Sequence, residues 1–183
     1  MNKWLNSKTR YGSLSIWLHW IMLLLIATVY ACIELRGFFP KGSGLRADLK
    51  TWHFMLGLSV LALVVLRIVI NMIGSAPEIR PAPPTLQKLL AKLMHFLLYV
   101  LMLGVPLAGW LLLSAGGKPI PFFGLELPPL IGESDSYAEL FKEIHEAGGT
   151  LGYILIAAHA AAALFHHYVV RDNTLQRMLP ERS

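Results

Sequence analysis

The amino-acid sequence predicts an all-α protein, an integral membrane four-helix bundle. Three observations predict it: the composition is strongly apolar, four long apolar segments divide the chain, and none of them alternates like a β-strand. Of the 183 residues, 55% are hydrophobic and 15% are charged, and the mean hydropathy is +0.55. A soluble domain carries roughly 25% charged residues, so a soluble enzyme is excluded. The length fits a single domain over residues 1–183.

Each apolar segment is long enough to cross a bilayer as a helix. The segments cover residues 14–33, 52–73, 89–113 and 151–170. About 20 apolar residues, at about 1.5 Å of rise each, span a hydrocarbon core of about 30 Å. A signal peptide is a poor interpretation of the first segment, because the run is long and no A-x-A cleavage pattern follows it before Glu34.

The connections between the segments have distinct compositions. Residues 37–42 break the first helix, and residues 77–84 contain four prolines that make a stiff, extended linker. Residues 116–119, with sequence GGKP, end the third segment. The following loop is rich in Pro and Gly, and a helical pattern resumes at residues 138–146 and leads into the fourth segment.

Basic residues predict the orientation. With four spans both termini lie on one side, which carries nine Lys and Arg residues: Lys3, Lys8, Arg10, Arg80, Lys88, Lys92, Arg171, Arg177 and Arg182. The other side carries six: Arg36, Lys41, Arg46, Lys50, Lys118 and Lys142. The positive-inside rule places both termini in the cytoplasm. These cations flank apolar runs and form no single stripe, so the net charge of +5 does not indicate nucleic-acid binding.

Histidines carry the chemistry that the sequence offers. There are seven: His19, His53, His95, His145, His159, His166 and His167. Ionisable residues in membrane spans are costly and usually functional, and histidine is the commonest metal and haem ligand. The single cysteine, Cys32, excludes an intramolecular disulfide, a cysteine-ligated iron–sulfur cluster and a C-x-x-C-H haem attachment.

Depth along the spans sorts the histidines into two layers. We call His53 and His145, near the outer ends of the second and fourth spans, the outer histidine pair. We call His19 and His159 the inner histidine pair; His95, His166 and His167 lie near that layer. His145 and His159 are 14 residues apart, about 21 Å along a helix, and fall within roughly 40° of the same face.

Several sites are compatible with this pattern. A b-type haem with two histidine ligands needs two imidazoles from facing helices at one depth, and the two layers supply two such sites. A zinc site needs a tighter group of three or four ligands, and its common H-E-x-x-H spacing is missing. A proton relay, or histidines that simply reach the headgroups from helix ends, are the other interpretations.

Five segments resemble one family: LHW at 18–20, ELRGFFP at 34–40, IHE at 144–146, HAAAALFHHY at 159–168 and DNTLQRM at 172–178. Over essentially its whole length the chain resembles bacterial cytochrome b561. The resemblance implies a di-haem b cytochrome of the bacterial inner membrane, with His19, His53, His145 and His159 as axial ligands of two haem b groups. It is closest to the branch that passes electrons from superoxide to ubiquinone, which makes the chain an oxidoreductase without a dedicated catalytic side chain.

A second function class stays open. Hydrogenase-type b cytochromes resemble this fold, and they are passive electron-transfer subunits docked to a partner redox enzyme. The absence of a long soluble domain or docking tail favours the first function, in which membrane lipid, superoxide and ubiquinone are the partners.

Three further residues are candidates for cofactor binding. Arg67 is a cation in the inner half of the second span, where a haem propionate is a natural partner, although snorkelling to the interface also explains it. His95 fits a hydrogen-bond partner of a propionate or quinone better than an axial ligand. His166 is a candidate for contacting quinone or its protons, or else a solvated helix-end histidine, whereas His167 faces elsewhere.

Two outer loops carry opposite charge. The loop after the first span, which we call the basic loop, has a net charge of +3, from Arg36, Lys41, Arg46 and Lys50 against Asp48. The loop before the fourth span has a net charge of −3, from Glu126, Glu133, Asp135, Glu139 and Glu143 against Lys118 and Lys142. The loops either pair with each other, or the basic loop attracts a small anion such as superoxide.

Overall fold

The structure of the chain, a computed structural model, describes Trp4, Asn6, Ser7 and residues 10–179. Within this part, four long helices dominate: α1 (Ser13–Leu35), α2 (Gly44–Ile73), α3 (Thr85–Ala115) and α4 (Asp135–Phe165). All four are long and apolar enough to cross a membrane, which confirms the all-α fold with four spans. Lys3, Lys8 and Arg182 lie outside the described residues, and the orientation they help to set stays a prediction.

Two helices begin well before the apolar segments that they contain. Helix α2 begins at Gly44 and α4 at Asp135, whereas the apolar segments begin at residues 52 and 151. The turns before residue 151 confirm the helical pattern predicted at residues 138–146. The turns before residue 52 are rich in charged residues, which apolar patterning does not register. After Phe165 the chain passes into a π-helical turn, His166–Val170, so the last apolar segment ends in a different kind of helix.

The chain divides into two compact units, and each unit holds one histidine pair. Unit 1 comprises Met1–Trp20, Val65–Leu101 and Thr150–Ser183, and it therefore contains His19, His95 and His159. Unit 2 comprises Ile21–Val64 and Met102–Gly149, and it contains His53 and His145.

In unit 2, glycines end α3 and shape a small hairpin. Gly117 has φ +59°, and the Lys118 N–H donates to the Leu113 carbonyl over 3.0 Å, the bond expected of a Schellman helix end. This confirms that the GGKP sequence ends the third span. The loop that follows contains two short strands, β1 (Pro121–Phe122) and β2 (Leu125–Glu126), which sequence patterning did not predict because two residues show no alternation.

Positive φ values at Phe123 (48°) and Gly124 (85°) make the tight turn between β1 and β2, as two-residue hairpins require. The hairpin is anchored by Ile120, which is 2% exposed and packs in the core with Leu58 and Leu113. The loop is thus a folded part of unit 2, held to α2 and α3 by apolar contacts.

We call residues 166–179 the C-terminal segment. In unit 1 this segment binds the proline-rich linker between α2 and α3. The Arg80 N–H donates to Oδ1 of Asn173 over 2.8 Å, and the Asn173 N–H donates to the Arg80 carbonyl over 3.2 Å. Arg177 donates from Nη1 to the Pro77 carbonyl. The linker is therefore stiffened by its prolines and also held in place by partners far away in sequence.

Asp172 is the buried centre of the C-terminal segment, only 3% exposed. Its Oδ2 accepts a 2.6 Å hydrogen bond from Nδ1 of His166, and its Oδ1 accepts one of 2.8 Å from the Thr174 N–H. Burial opposes the ionised carboxylate, but the hydrogen bonds from His166 and Thr174 outweigh burial and lower the pKa of Asp172 below its usual value.

We expect Asp172→Asn to lower the free energy of unfolding by about 1–3 kcal/mol at neutral pH, since hydrogen bonds to a charged group are lost. Because the folded-state pKa lies below the unfolded value near 3.8, the carboxylate stabilises the fold above that value and loses this effect as the pH falls through the folded-state pKa. The difference between variant and wild type should therefore shrink in acid. Thermal unfolding in detergent from neutral pH to about pH 3 measures it.

Asp48→Asn is the matched control, because Asp48 is exposed near the start of α2. It should change stability little at any pH. A deficit of Asp172→Asn that stays constant across the pH range would contradict the assignment to the ionised carboxylate.

Candidate functional site

The outer histidine pair brings α2 and α4 together in unit 2. The ring centroids of His53 and His145 are 5.9 Å apart, with the ring planes at 83°. Both side chains are half-buried. Depth along the spans predicted that these two histidines lie together, and the structure places them face to edge across the two helices.

Each outer histidine is held by a backbone carbonyl of a different helix. Nδ1 of His53 donates to the Val29 carbonyl in α1 over 3.0 Å, and Nδ1 of His145 donates to the Val105 carbonyl in α3 over 2.9 Å. A carbonyl only accepts, so Nδ1 carries the proton in both rings. The Nε2 lone pairs remain for a ligand, the arrangement in which a histidine typically binds a metal.

Two glycines make room for His145. A Cβ atom on Gly109 in α3 would lie 3.0 Å from Cε1 of His145, and one on Gly148 in α4 would lie 2.5 Å from Cγ2 of Val105. A larger residue at Gly109 would crowd the His145 ring, and one at Gly148 would crowd the Val105 side chain, so the two glycines favour the close approach of α3 and α4 at the His145–Val105 hydrogen bond. Sequence patterning assigned Gly109 no role, because a glycine in an apolar helix shows no sign of which side chain it faces.

The inner histidine pair lies in unit 1, together with a third histidine. The ring centroids of His19 in α1 and His159 in α4 are 6.3 Å apart, at 71°. His95 in α3 is 5.4 Å from His159, at 79°. His95 is exposed, and its Nδ1 donates to the Ala91 carbonyl of its own helix over 2.6 Å.

The spacing within each pair fits one iron between two imidazoles. Two metal–nitrogen bonds of about 2 Å, plus about 1 Å from each nitrogen to its ring centre, separate the ring centres by about 6 Å. The outer pair at 5.9 Å and the inner pair at 6.3 Å match this distance, and the 5.4 Å between His95 and His159 falls short of it. These residues therefore fit a haem b at each pair.

A zinc site is not supported by the arrangement. Among the described residues, no group of three or more His, Cys, Asp or Glu side chains could hold a metal ion. A structural or catalytic zinc ion needs three or four such ligands. The facing pairs, with two imidazoles each, are the arrangement that a porphyrin iron uses.

Arg67 lies beside the inner pair and is half-buried. Its Nη1 is buried without a hydrogen-bond partner among the described residues, and Arg67 acts electrostatically on both His19 and His159. A buried guanidinium N–H with no acceptor is costly. A carboxylate of a haem at the inner pair fits this position, because arginine binds carboxylates with two parallel hydrogen bonds.

The remaining histidines lie in the π-helical turn. His166 follows His159 by seven residues, close to two helical turns, and it is held by Asp172, a partner that the sequence did not reveal. The ring of His167 packs against Tyr168 at 4.8 Å. Asp172 therefore fixes the orientation of the His166 ring.

The basic loop forms an open surface pocket of about 260 Å³, which we call the basic pocket, lined by Arg36, Gly42, Ser43, Arg46, Ala47 and Lys50. In the described part of the chain, no carboxylate lies within salt-bridge distance of the four cations of the basic loop. The two oppositely charged loops thus form no ion pairs there, and the cations remain available to an external anion.

Known proteins resemble this chain along nearly all of its length. The model of the prokaryotic cytochrome b561 family matches residues 10–181. Cytochrome b561 homolog 1 of Escherichia coli (strain K12) is 44% identical over 173 residues, which cover 94% of this chain and 98% of that protein. A Yersinia pestis protein named "Probable superoxide oxidase CybB" is 36% identical over 173 residues, with 94% and 97% covered.

These matches confirm the family that the sequence motifs indicated. Together with the four apolar helices, they identify a multi-pass protein of the bacterial inner membrane that binds haem b and has an electron-transfer role. The chain belongs to the prokaryotic cytochrome b561 family.

Proposed function

We propose that the chain is a di-haem oxidoreductase that takes electrons from superoxide and delivers them to ubiquinone. The observation that carries the proposal is the presence of two facing histidine pairs, each at the separation that one iron requires. The name of the Yersinia pestis relative, at 36% identity, supports superoxide as the donor.

His53 and His145 hold one haem, and His19 and His159 hold the other. When bound, each haem b supplies a centre that gains and loses one electron at a time. The chain fixes the ligands: the carbonyls of Val29 and Val105 hold the Nδ1 protons of the outer pair, which orients Nε2 and raises its basicity.

The reaction balances when two superoxide anions, each giving one electron, reduce one ubiquinone. Two superoxide anions lose one electron each and leave as two molecules of O2. One ubiquinone takes up these two electrons and two protons and becomes ubiquinol. Superoxide is oxidised at the outer pair, and ubiquinone is reduced near the inner pair.

Unit 1 supplies the groups that serve the inner haem and the quinone. Arg67 pairs with a haem carboxylate, which satisfies its buried Nη1. His95 is the candidate hydrogen-bond partner of a propionate or of the quinone rather than an iron ligand. His166, oriented by Asp172, is the candidate for contacting the quinone or passing it protons.

The orientation places the basic loop in the periplasm. Nine of the Lys and Arg residues lie on the side of the termini and six on the other, so both termini are cytoplasmic under the positive-inside rule. The basic loop then faces the compartment from which superoxide arrives. Its unpaired cations attract a small anion toward the outer haem.

We expect each ligand substitution to remove one haem and to leave the other. His53→Ala or His145→Ala should lose the outer haem, and His19→Ala or His159→Ala the inner one, because an iron with two histidine ligands loses half of its protein coordination. Haem-to-protein stoichiometry and reduced-minus-oxidised spectra measure this. His167→Ala is the control and should keep two haems; retention of two haems by every ligand variant would refute the assignment.

Gly109→Val should lose the outer haem without touching a ligand. The added side chain would occupy the space of the His145 ring, since even a Cβ atom lies 3.0 Å from it, and it would turn Nε2 away from the iron. Gly104→Val is the matched control in α3, because nothing lies within 4 Å of a Cβ there. Equal haem contents of the two variants would contradict the steric role of Gly109.

The basic loop should raise the rate at which superoxide reduces the protein. We expect Lys41→Gln with Lys50→Gln to lower this second-order rate about 3- to 10-fold at low salt, and the difference to shrink at physiological salt, where charges are screened beyond about 8 Å. Stopped-flow consumption of superoxide in the presence of ubiquinone measures it, expressed per bound haem because Lys50 also lines the basic pocket.

A rate that responds neither to salt nor to the double substitution would rule out steering by the loop. A wild-type protein that holds both haems but is not reduced by superoxide would favour the alternative function, a passive electron-transfer subunit of a partner redox enzyme.

A further inference from the structure

The basic pocket collects positive charge at the junction of α1 and α2. Arg36 begins the 3-10 turn Arg36–Phe38 that follows α1, and Arg46 and Lys50 lie in the first two turns of α2. These three cations and Ser43 line the open pocket of about 260 Å³, and none of its lining residues is acidic. Lys50 also lies within electrostatic range of Lys118.

Arg46 holds the pocket in shape. Its Nη1 donates to the Arg36 carbonyl and to the Phe39 carbonyl, each over 2.8 Å. These bonds tie the 3-10 turn to the start of α2, so the backbone that carries the Arg36 side chain is fixed before any ligand binds.

One buried N–H of Arg36 lacks an acceptor in the part of the chain that the structure describes. Its Nε is buried and has no hydrogen-bond partner among the described residues, and Lys50 acts on it as a like charge. A buried, unsatisfied guanidinium N–H costs free energy, and repulsion between neighbouring cations adds to that cost. An anion with several oxygen atoms in the pocket would relieve both.

The pocket adjoins the outer histidine pair. Arg36 acts electrostatically on His53. Lys50 precedes His53 by three residues in α2, which places both on one side of the helix. Nζ of Lys50 lies 5.5 Å from the centroid of the Phe54 ring, whose own centroid is 6.2 Å from that of His53.

We propose that the basic pocket seats the carboxylate groups of the haem held by His53 and His145, with Arg36 as the direct partner and Lys50 as the second cation. The inference rests on the proposed function for the presence of a haem at this pair. A haem b carries two propionate carboxylates, and a guanidinium binds a carboxylate with two parallel hydrogen bonds. Together with Lys118, the three cations of the pocket outnumber the two carboxylates, so the loop keeps a positive field for superoxide.

The test compares Arg36→Gln with Lys41→Gln. Both substitutions remove one positive charge from the same loop, but Lys41 does not line the pocket. We expect Arg36→Gln to lower the equilibrium constant for reduction of the outer haem about tenfold, because the lost cation favoured the additional electron. This corresponds to a reduction potential lower by about 59 mV for one electron. The equilibrium constant for reduction of the inner haem should not change. Lys41→Gln should change that of the outer haem less than about twofold.

A second measurement follows haem retention. Excess apomyoglobin captures haem released from the holoprotein, and Arg36→Gln should release the outer haem about tenfold faster than wild type. Arg36→Lys keeps the charge and should release it only slightly faster, which also guards against a glutamine variant that fails to fold.

Three outcomes would overturn the inference. The first is an Arg36→Gln variant that behaves like Lys41→Gln in both measurements. The second is a shift seen only in nanodiscs of phosphatidylglycerol and not in lipid-free detergent, which would assign the pocket to a lipid phosphate. The third is an equal shift of both haems. A wild-type protein with a single haem would instead refute the di-haem assignment, and the stoichiometry reveals that separately.

Discussion

The hydrogen bond from each outer histidine to the backbone of a neighbouring helix is the interaction on which the site depends. An imidazole N–H in an apolar span must find an acceptor, because water is absent and the unsatisfied group is costly. The carbonyls of Val29 and Val105 meet this need for His53 and His145. The same bonds fix the tautomer of each histidine and the direction of its Nε2. They also link α2 to α1 and α4 to α3, so the orientation of the histidines depends on how the helices pack.

Both histidine pairs are accompanied by an arginine whose buried N–H has no acceptor in the described part of the chain. Arg67 lies beside the inner pair, and Arg36 beside the outer pair. An unpaired buried cation opposes folding, and an anionic cofactor that neutralises it adds its binding free energy to the folded state. Under the proposed function, haem loading and the stability of the protein are therefore coupled through charge as well as through the histidine ligands.

The sequence predicted the four helices and the proximity of the paired histidines well, because both follow from quantities that can be counted along the chain. Hydropathy reports which residues lie in lipid, and residue count along a helix reports depth. The helical turns before residue 52 were not predicted, since polar residues at a helix end resemble a loop, whereas the helical pattern at residues 138–146 predicted the early start of α4. The hairpin was not predicted either, because its strands are two residues long.

The finer parts of the site depend on contacts that no spacing encodes. The sequence gives no sign that Gly109 faces His145, that Asp172 holds His166, or that Nε of Arg36 is buried rather than solvated in a basic loop. Each of these depends on how a side chain of one segment meets another that is distant in sequence. The roles of the histidines as ligands remain predictions drawn from the residues and the family, to which the distances add support.

The contact between the C-terminal segment and the proline-rich linker has a consequence for biosynthesis. The linker, between α2 and α3, leaves the ribosome long before its partners Asn173 and Arg177, which follow all four helices in the chain. Its hydrogen bonds can therefore form only after translation has passed α4. Until then these groups of the linker must be satisfied by water, so unit 1 acquires these contacts only after all four helices have been synthesised.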